Sequence, residues 1–193
     1  MNTASRKIAV FASGAGTNAE NIISYFQSRH NGVEVALVVT NRSDAGVIER
    51  SERLGVPVRV ISKEELDGER RMIALLEEYD IELVVLAGFL LMVPRFLIER
   101  YRDRMVNIHP SLLPKFGGKG MYGRRVHEAV VAAGESETGM TVHIVSERYD
   151  EGRIIFQASV SVFPSDTPRD VDLKVRALEL AHYPHVIERF LLG

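Results

Sequence analysis

A chain of 193 residues, 46% hydrophobic and 26% charged, has the length and composition of one ordinary globular domain with room for a substantial core. A net charge of −2 argues against a general nucleic-acid binder, and the absence of cysteine removes a disulfide framework, a thiolate nucleophile and a cysteine-ligated metal. Residues 1–7 run into an apolar stretch without a signal-peptide core, and no apolar run approaches a membrane span. The expectation is a cytoplasmic protein with no membrane partner.

Ile8 to Ala12 is wholly apolar and precedes a glycine loop, as a buried parallel strand does. Ser13-Gly14-Ala15-Gly16-Thr17-Asn18 then opens a helix with apolar positions at Ala19, Ile22, Ile23 and Phe26, closed by Asn31-Gly32. Val33 to Val39 reads as a second strand, 44–54 as a short helix stopped by Gly55, and 56–61 as a third strand. Ser62 to Glu65 has the spacing of a capping box, without its usual hydrophobic follow-on, and the helix behind it runs to about Tyr79. Ile81 to Leu86 forms a fourth strand ended by Ala87-Gly88. Pro94 suits a first helical turn, giving a helix to about Arg104. The fifth strand, Met105 to His109, stops at Pro110.

Past Pro114 the rhythm changes. Residues 116–123 form a glycine-rich loop, 127–133 a short helix broken at Gly134, and 138–145 and 154–162 alternate like paired strands joined by 146–152. Pro164 to Pro168 leads into a final helix ending near Leu191. Strands alternating with helices predict an α/β fold: a doubly wound, mostly parallel Rossmann-like sheet with a C-terminal β-hairpin and a final helix. A single domain over 1–193 is expected, its 1–110 part nucleotide-fold-like and its 111–193 part adding the hairpin and helix.

Several clusters can carry chemistry. Strand alternation puts Asn107 and His109 on one face at the carboxyl end of a strand, where open α/β sheets bind ligands. An amide donor beside an imidazole suits a carbonyl reaction; a pair that merely caps a turn is the plain alternative. Gly14 to Ala19 fits the GxGxxA pattern, yet Val39-Thr40-Asn41 lacks the acidic residue that a dinucleotide ribose needs. A monophosphate held at the helix start needs no such residue, and a simple tight turn is the other reading. Asp150 lies in the 146–152 loop with Glu147 and Glu151 as alternatives, and a loop carboxylate is ordinarily solvated. His143 reads as a core or turn histidine, or as a support for the site. Residues 86–93 are ordinary core or a flat apolar wall for a ring. Lys119, Arg124 and Arg125 belong to a solvated loop or to a lid that reaches an anion.

The run Asn107-Ile108-His109-Pro110-Ser111-Leu112-Leu113-Pro114 resembles the hallmark segment of the folate-dependent formyltransferases. A second block, from Val142-His143-Ile144-Val145 through Tyr149-Asp150-Glu151-Gly152 to Gln157, resembles their second catalytic segment. Ser13 to Asn18, Leu86 to Phe89 and Tyr183-Pro184 extend the similarity almost end to end. The resemblance implies a formyltransferase fold that takes 10-formyltetrahydrofolate as co-substrate and uses no metal. It implies formyl transfer to the glycinamide amine of a phosphoribosyl substrate in purine synthesis. Partners are small molecules, with monomer and homodimer both open. It makes Asn107, His109 and Asp150 catalytic, with Asp150 holding the imidazole and raising its pKa. Gly16, Thr17 and Asn18 would hold the substrate phosphate and Glu179 the ribose hydroxyls. Leu86, Phe89, Leu90, Leu91, Met92, Val93, Asn107 and Val145 would hold the folate. Two departures stand out: relatives often carry an arginine where this chain has Leu91, and the 115–125 loop is longer and richer in glycine.

Related activities share the same three residues. A methionyl-tRNA formyltransferase is expected to carry a further C-terminal domain, a formyltetrahydrofolate hydrolase an extra N-terminal one, and a sugar-nucleotide formyltransferase more chain. From a different class, a non-catalytic nucleotide-phosphate-binding module would use only the glycine loop and leave Asn107, His109 and Asp150 unexplained.

Overall fold

The computed structural model describes residues 5–29 and 31–193, so the reading of residues 1–4 lies outside it. The strands are β1 (Arg6–Phe11), β2 (Val33–Thr40), β3 (Val58–Val60), β4 (Ile81–Leu86), β5 (Met105–His109), β6 (Glu137–Ile144) and β7 (Ile154–Ser161). The helices are α1 (Thr17–Arg29), α2 (Val47–Arg53), α3 (Lys63–Asp67), α4 (Glu69–Glu78), α5 (Arg95–Arg100), α6 (Arg124–Ala132) and α7 (Pro168–Leu192). The seven strands form one sheet in the order β3-β2-β1-β4-β5-β6-β7. β1 pairs in parallel with β2 and β4, β2 in parallel with β3, and β6 antiparallel with β7. The 3-2-1-4-5 order is that of a doubly wound sheet, and the expected α/β architecture with its C-terminal hairpin and helix is what the chain adopts. By compactness it divides into two units, Met1–Val106 and Asn107–Gly193.

In the first unit the central strands bury their inner stretches: Ile8 to Phe11, Leu37 to Val39 and Leu83 to Val85 have essentially no exposed surface. That is why they read as continuous apolar runs rather than alternating ones. α1 lays Ala19, Ile22, Ile23 and Phe26 into this core, the stripe its spacing predicted. The order of strands reverses between β1 and β4, so the loops after these two strands flank the crevice where such sheets bind ligands.

Several boundaries differ from expectation; α2 starts at Val47 rather than 44, and α6 starts at Arg124 rather than 127. β3 is a three-residue edge strand, because Pro57 has no N–H to give the ladder, although its carbonyl accepts from Val38 N at 2.9 Å. The helix expected over 62–79 breaks at Gly68, which ends α3 and begins α4 with φ −80° and ψ 86°. Its capping box nonetheless forms: Ser62 Oγ accepts from Glu65 N, and the Glu65 carboxylate accepts from Ser62 N at 2.8 Å. Satisfying two orphan donors is enough to start a helix without a hydrophobic staple. α5 stops at Arg100, well short of Arg104, and Asp103 sits at φ 57°, outside helical space.

In the second unit β6 faces β7 in register from Glu137↔Ser161 to His143↔Ile154, with an irregularity between Val142 and His143. An irregular pair of this kind re-aims the side chain beside it. α7 begins with Pro168 behind a second capping box, Thr167 with Asp170, and packs on β6 with Val171 and Val175 buried.

Candidate active site

The centre of the second unit is a hydrogen-bonded cluster around Asp150. His109, at the end of β5, places Nδ1 3.5 Å from Asp150 Oδ2. The His109 Nε2–H donates to the Phe116 carbonyl at 2.8 Å. Asp150 Oδ2 also accepts from the Gly118 N–H at 2.8 Å, while Asp150 Oδ1 lies 3.5 Å from His143 Nε2. His143 Nε2 accepts from Asn107 Nδ2 at 3.1 Å, and its Nδ1–H donates to the Ile144 carbonyl at 2.9 Å. A neutral imidazole has one donor and one acceptor, so the Ile144 carbonyl fixes the hydrogen on Nδ1 and leaves Nε2 to receive the Asn107 amide. The second amide hydrogen of Asn107 is then aimed away from His143.

This cluster is built by local backbone choices. Period-two alternation brings Asn107 and His109 to one side of β5. Phe116 and Asp150 both adopt positive φ, 55° and 56°, which non-glycine residues keep only where their surroundings hold them. Gly152 lets the loop return onto β6: a Cβ there would stand 1.7 Å from the Ile144 oxygen and 3.4 Å from His143 Nδ1. The Asp150 side chain is only 12% exposed, unlike an ordinary loop carboxylate. Glu151, one of the alternatives, instead pairs with Arg148 at 3.3 Å on the surface.

Electrostatics separate the partners. Burial is the largest influence on His109 and pushes its imidazole below the ordinary 6.5, against the upward pull of Asp150 and the Phe116 carbonyl. Asp150 does favour the imidazolium, as expected, but the net position is set by burial. For Asp150 burial alone would push the carboxyl up. The charge of His109 and the Gly118 N–H act against that, and the carboxyl stands below 3.8; His143, with its hydrogen on Nδ1, has none to give Asp150. The result is an ionised carboxylate against a histidine poised to take and release a proton.

His143 is the residue that sequence reasoning undervalued. It is 2% exposed and joins Asn107 to Asp150, and its only sequence signal was its place in the second motif block. Glu179 lies half-buried on α7, one turn before Tyr183. Tyr183 is fully buried, and burial, with the Glu179 carboxylate adding to it, raises its hydroxyl well above 10.0. Val145 follows β6 directly and is half-buried.

In the first unit the loop after β1 is tied to the loop after β4. Ser13 N donates to the Gly88 carbonyl at 3.0 Å, and Leu90 N donates to Ser13 Oγ at 2.9 Å. Ser13 Oγ in turn donates to Asn41 Oδ1 at 2.5 Å. Gly16 stands at φ 79° with the start of α2 so close that a Cβ would lie 2.5 Å from Val47 Cα. Its absent side chain therefore serves helix packing as well as the turn. Thr17 and Asn18, both half-buried, begin α1, and the first turn of a helix suits an anion.

The 86–93 segment divides. Leu86 and Val93 are buried, Phe89 meets Phe11 edge-on at 5.3 Å, and Leu90 and Met92 are about half exposed at 52% and 49%. Leu91 is half-buried. Exposed apolar side chains at a switch point suit a flat ring. Among the described residues no group of three or more His, Cys, Asp or Glu is arranged to hold a metal ion, and no helix is long and apolar enough to cross a membrane.

A nucleotide-type sheet with an Asn–His–Asp cluster at a strand end defines a class, and the formyl transferase family model matches residues 6–187: the chain belongs to the formyl transferase family. It is 40% identical over 187 residues to the chloroplastic phosphoribosylglycinamide formyltransferase of Arabidopsis thaliana, covering 94% of this chain and 64% of that protein. It therefore spans less than two thirds of that relative. It is 36% identical over 193 residues to the phosphoribosylglycinamide formyltransferase of Haemophilus influenzae, covering 97% of this chain and 88% of that one. The crystal structure of glycinamide ribonucleotide transformylase 1 from Geobacillus kaustophilus superposes with a TM-score of 0.88 at 36% identity, covering 98% of this chain and all of that one.

Proposed function

We propose that this chain transfers the formyl group of 10-formyltetrahydrofolate to the amine of 5-phosphoribosylglycinamide in purine synthesis. The observation that carries the reading is the Asn107–His143–Asp150–His109 cluster in a chain of the formyl transferase family. The donor supplies an electrophilic formyl carbon, and the acceptor amine adds to it directly. Asn107 gives its second amide hydrogen to the oxyanion that develops on the formyl oxygen. His109, once protonated, adds charge stabilisation and delivers its proton to the departing folate nitrogen as the old carbon–nitrogen bond breaks. The proton released by the new amide nitrogen returns through His109 and Asp150, so the cluster ends as it began. Asp150 also orients the His109 ring.

By the same reading Gly16, Thr17 and Asn18 hold the phosphate and Glu179 the ribose hydroxyls. Leu86, Phe89, Leu90, Leu91, Met92, Val93, Asn107 and Val145 hold the folate. Residues 86–93 carry no basic side chain, so the pterin there meets apolar side chains and backbone groups. Residues 1–110 are the ribonucleotide-phosphate part of one formyltransferase domain, and 111–193 supply the rest of its chemistry. The protein works in the cytoplasm on small molecules. The test is release of deformylated folate by purified protein, with glycinamide ribonucleotide and then with water as the only acceptor. Ribonucleotide-dependent release is expected. Equal release without it would make the protein a hydrolase, and phosphate binding without release would leave a binding module.

A further inference from the structure

Thr141 lies in the middle of β6 with no exposed surface, and its hydroxyl is used to capacity. It donates to the Ser111 carbonyl at 2.6 Å and accepts from Leu113 N at 3.0 Å and from Gln157 Nε2 at 2.9 Å. A hydroxyl has one hydrogen and two lone pairs, so nothing remains for a ligand. Gln157 faces Thr141 directly across the β6–β7 ladder and gives a further hydrogen bond to the Leu113 carbonyl at 3.1 Å. Ser111 Oγ then closes the turn by donating to the Lys115 carbonyl at 2.6 Å. Two side chains from the hairpin thus grip the backbone of 111–113, immediately after His109.

The turn just beyond this grip serves the cluster. Phe116, held at φ 55°, brings its carbonyl to His109 Nε2, and Gly118 brings its N–H to Asp150 Oδ2. Left-handed backbone at a phenylalanine is strained and persists only when neighbouring structure over-determines it. The observed over-determination is the set of hydrogen bonds on 111–115. Neither Thr141 nor Gln157 touches His109, Asp150 or Asn107 in any hydrogen bond of the cluster.

We infer that Thr141 and Gln157 are positioning residues: they hold 111–113 so that the Phe116 carbonyl meets the His109 imidazole, and through that carbonyl they set how His109 holds its proton. This deepens the formyl-transfer reading and rests on it for its kinetic consequence. The other groups that act on His109 are Asp150 and His143, with His127 of α6 coupled to it more weakly. Neither Thr141 nor Gln157 is hydrogen-bonded to any of these three side chains, and Asp150 is reached only through the Gly118 N–H on the same turn.

The test uses Thr141→Val, which keeps shape and removes the hydroxyl, with Thr141→Ser as the conservative restoration and Gln157→Met as an independent variant. Two quantities are read on the full chain: steady-state formyl transfer, and the NMR titration of the His109 ring. Thr141→Val is expected to lower kcat by about 10–10²-fold with KM within about threefold of wild type, because small misplacement of a reacting group carries that cost. The His109 titration moves to lower pH, since its charged form loses an acceptor. Thr141→Ser restores both. Gln157→Met shows the same directions more weakly, and decides the matter alone if Thr141→Val does not fold. Wild-type kcat and an unmoved His109 titration in a folded variant would overturn the inference, as would failure of serine to restore them. A wild-type protein without transfer would instead overturn the proposed function, and the titration would still judge the positioning role.

Discussion

Replacing Asp150 by asparagine removes a charge while keeping the shape of the side chain. Asparagine Oδ1 can still accept from Gly118 N, so the loop keeps its anchor. The loss is that of a carboxylate 3.5 Å from His109 Nδ1. At an effective dielectric of about 20, a unit pair at that distance is worth about 5 kcal/mol, which fully expressed would be about 10³–10⁴-fold in rate. Burial already disfavours the His109 imidazolium, and Asp150 is the main opposing influence, so the variant shifts His109 to lower pH still. At neutral pH less of the enzyme then carries the catalytic proton, and the ring loses its orienting partner. We expect kcat to fall by about 10²–10³-fold with the urea midpoint nearly unchanged. The assay is the pH dependence of kcat for formyl transfer, paired with NMR titration of His109. Superimposable pH profiles in wild type and variant would refute the assigned role of Asp150.

The geometry leads to three other outcomes. Gly152→Ala forces a Cβ to within 1.7 Å of the Ile144 oxygen, so the loop must move and carry Asp150 with it. Its stability to urea should drop by about 1–3 kcal/mol and its activity by more than stability explains, and a wild-type rate would show that the loop relaxes harmlessly. Thr167→Ala removes the hydroxyl of the capping box on α7, which should cost about 1 kcal/mol in urea unfolding with no change in kcat. His109 and His127 are both held below 6.5 by burial, so the unfolded chain takes up protons first as pH falls. The stability they lend is complete above 6.5 and is lost as pH drops through their folded values. Asp150, held below 3.8, adds its own loss at lower pH. Urea midpoints should therefore be equal at pH 7.5 and 8.5 and lower at pH 5.5. An equal midpoint at pH 5.5 would contradict the burial of these imidazoles in neutral form.

The order of residues was enough for the fold class. Buried parallel strands must be apolar on both faces, so Ile8 to Phe11 and Leu83 to Leu86 announce themselves as continuous runs. Helix α1 is written in its stripe of Ala19, Ile22, Ile23 and Phe26, and Pro168 behind Thr167 marks the start of α7. Local chemistry of this sort depends on neighbours along the chain and is visible without a structure. The proximity of Asn107 to His109 is of the same kind, since alternation needs only a strand.

Association between distant residues was not legible in composition, periodicity or spacing. Read from its own residues, Asp150 looked like one of three solvated loop carboxylates, and only the family resemblance pointed to it. It is singled out because β6 carries an irregularity at His143 and the loop returns at Gly152, facts that belong to the pairing of β6 with β7. His143 looked like core, and its bond to Asn107 exists only because β5 and β6 bring positions 36 residues apart within 3.1 Å. The protonation of His109 also had to wait. A neighbouring carboxylate predicts a raised value, but burial is a property of everything packed around the ring, and here it prevails. Sequence specifies periodicity, caps and turns because these are local. Distances, desolvation and the choice among equivalent carboxylates arise only when the chain has closed on itself.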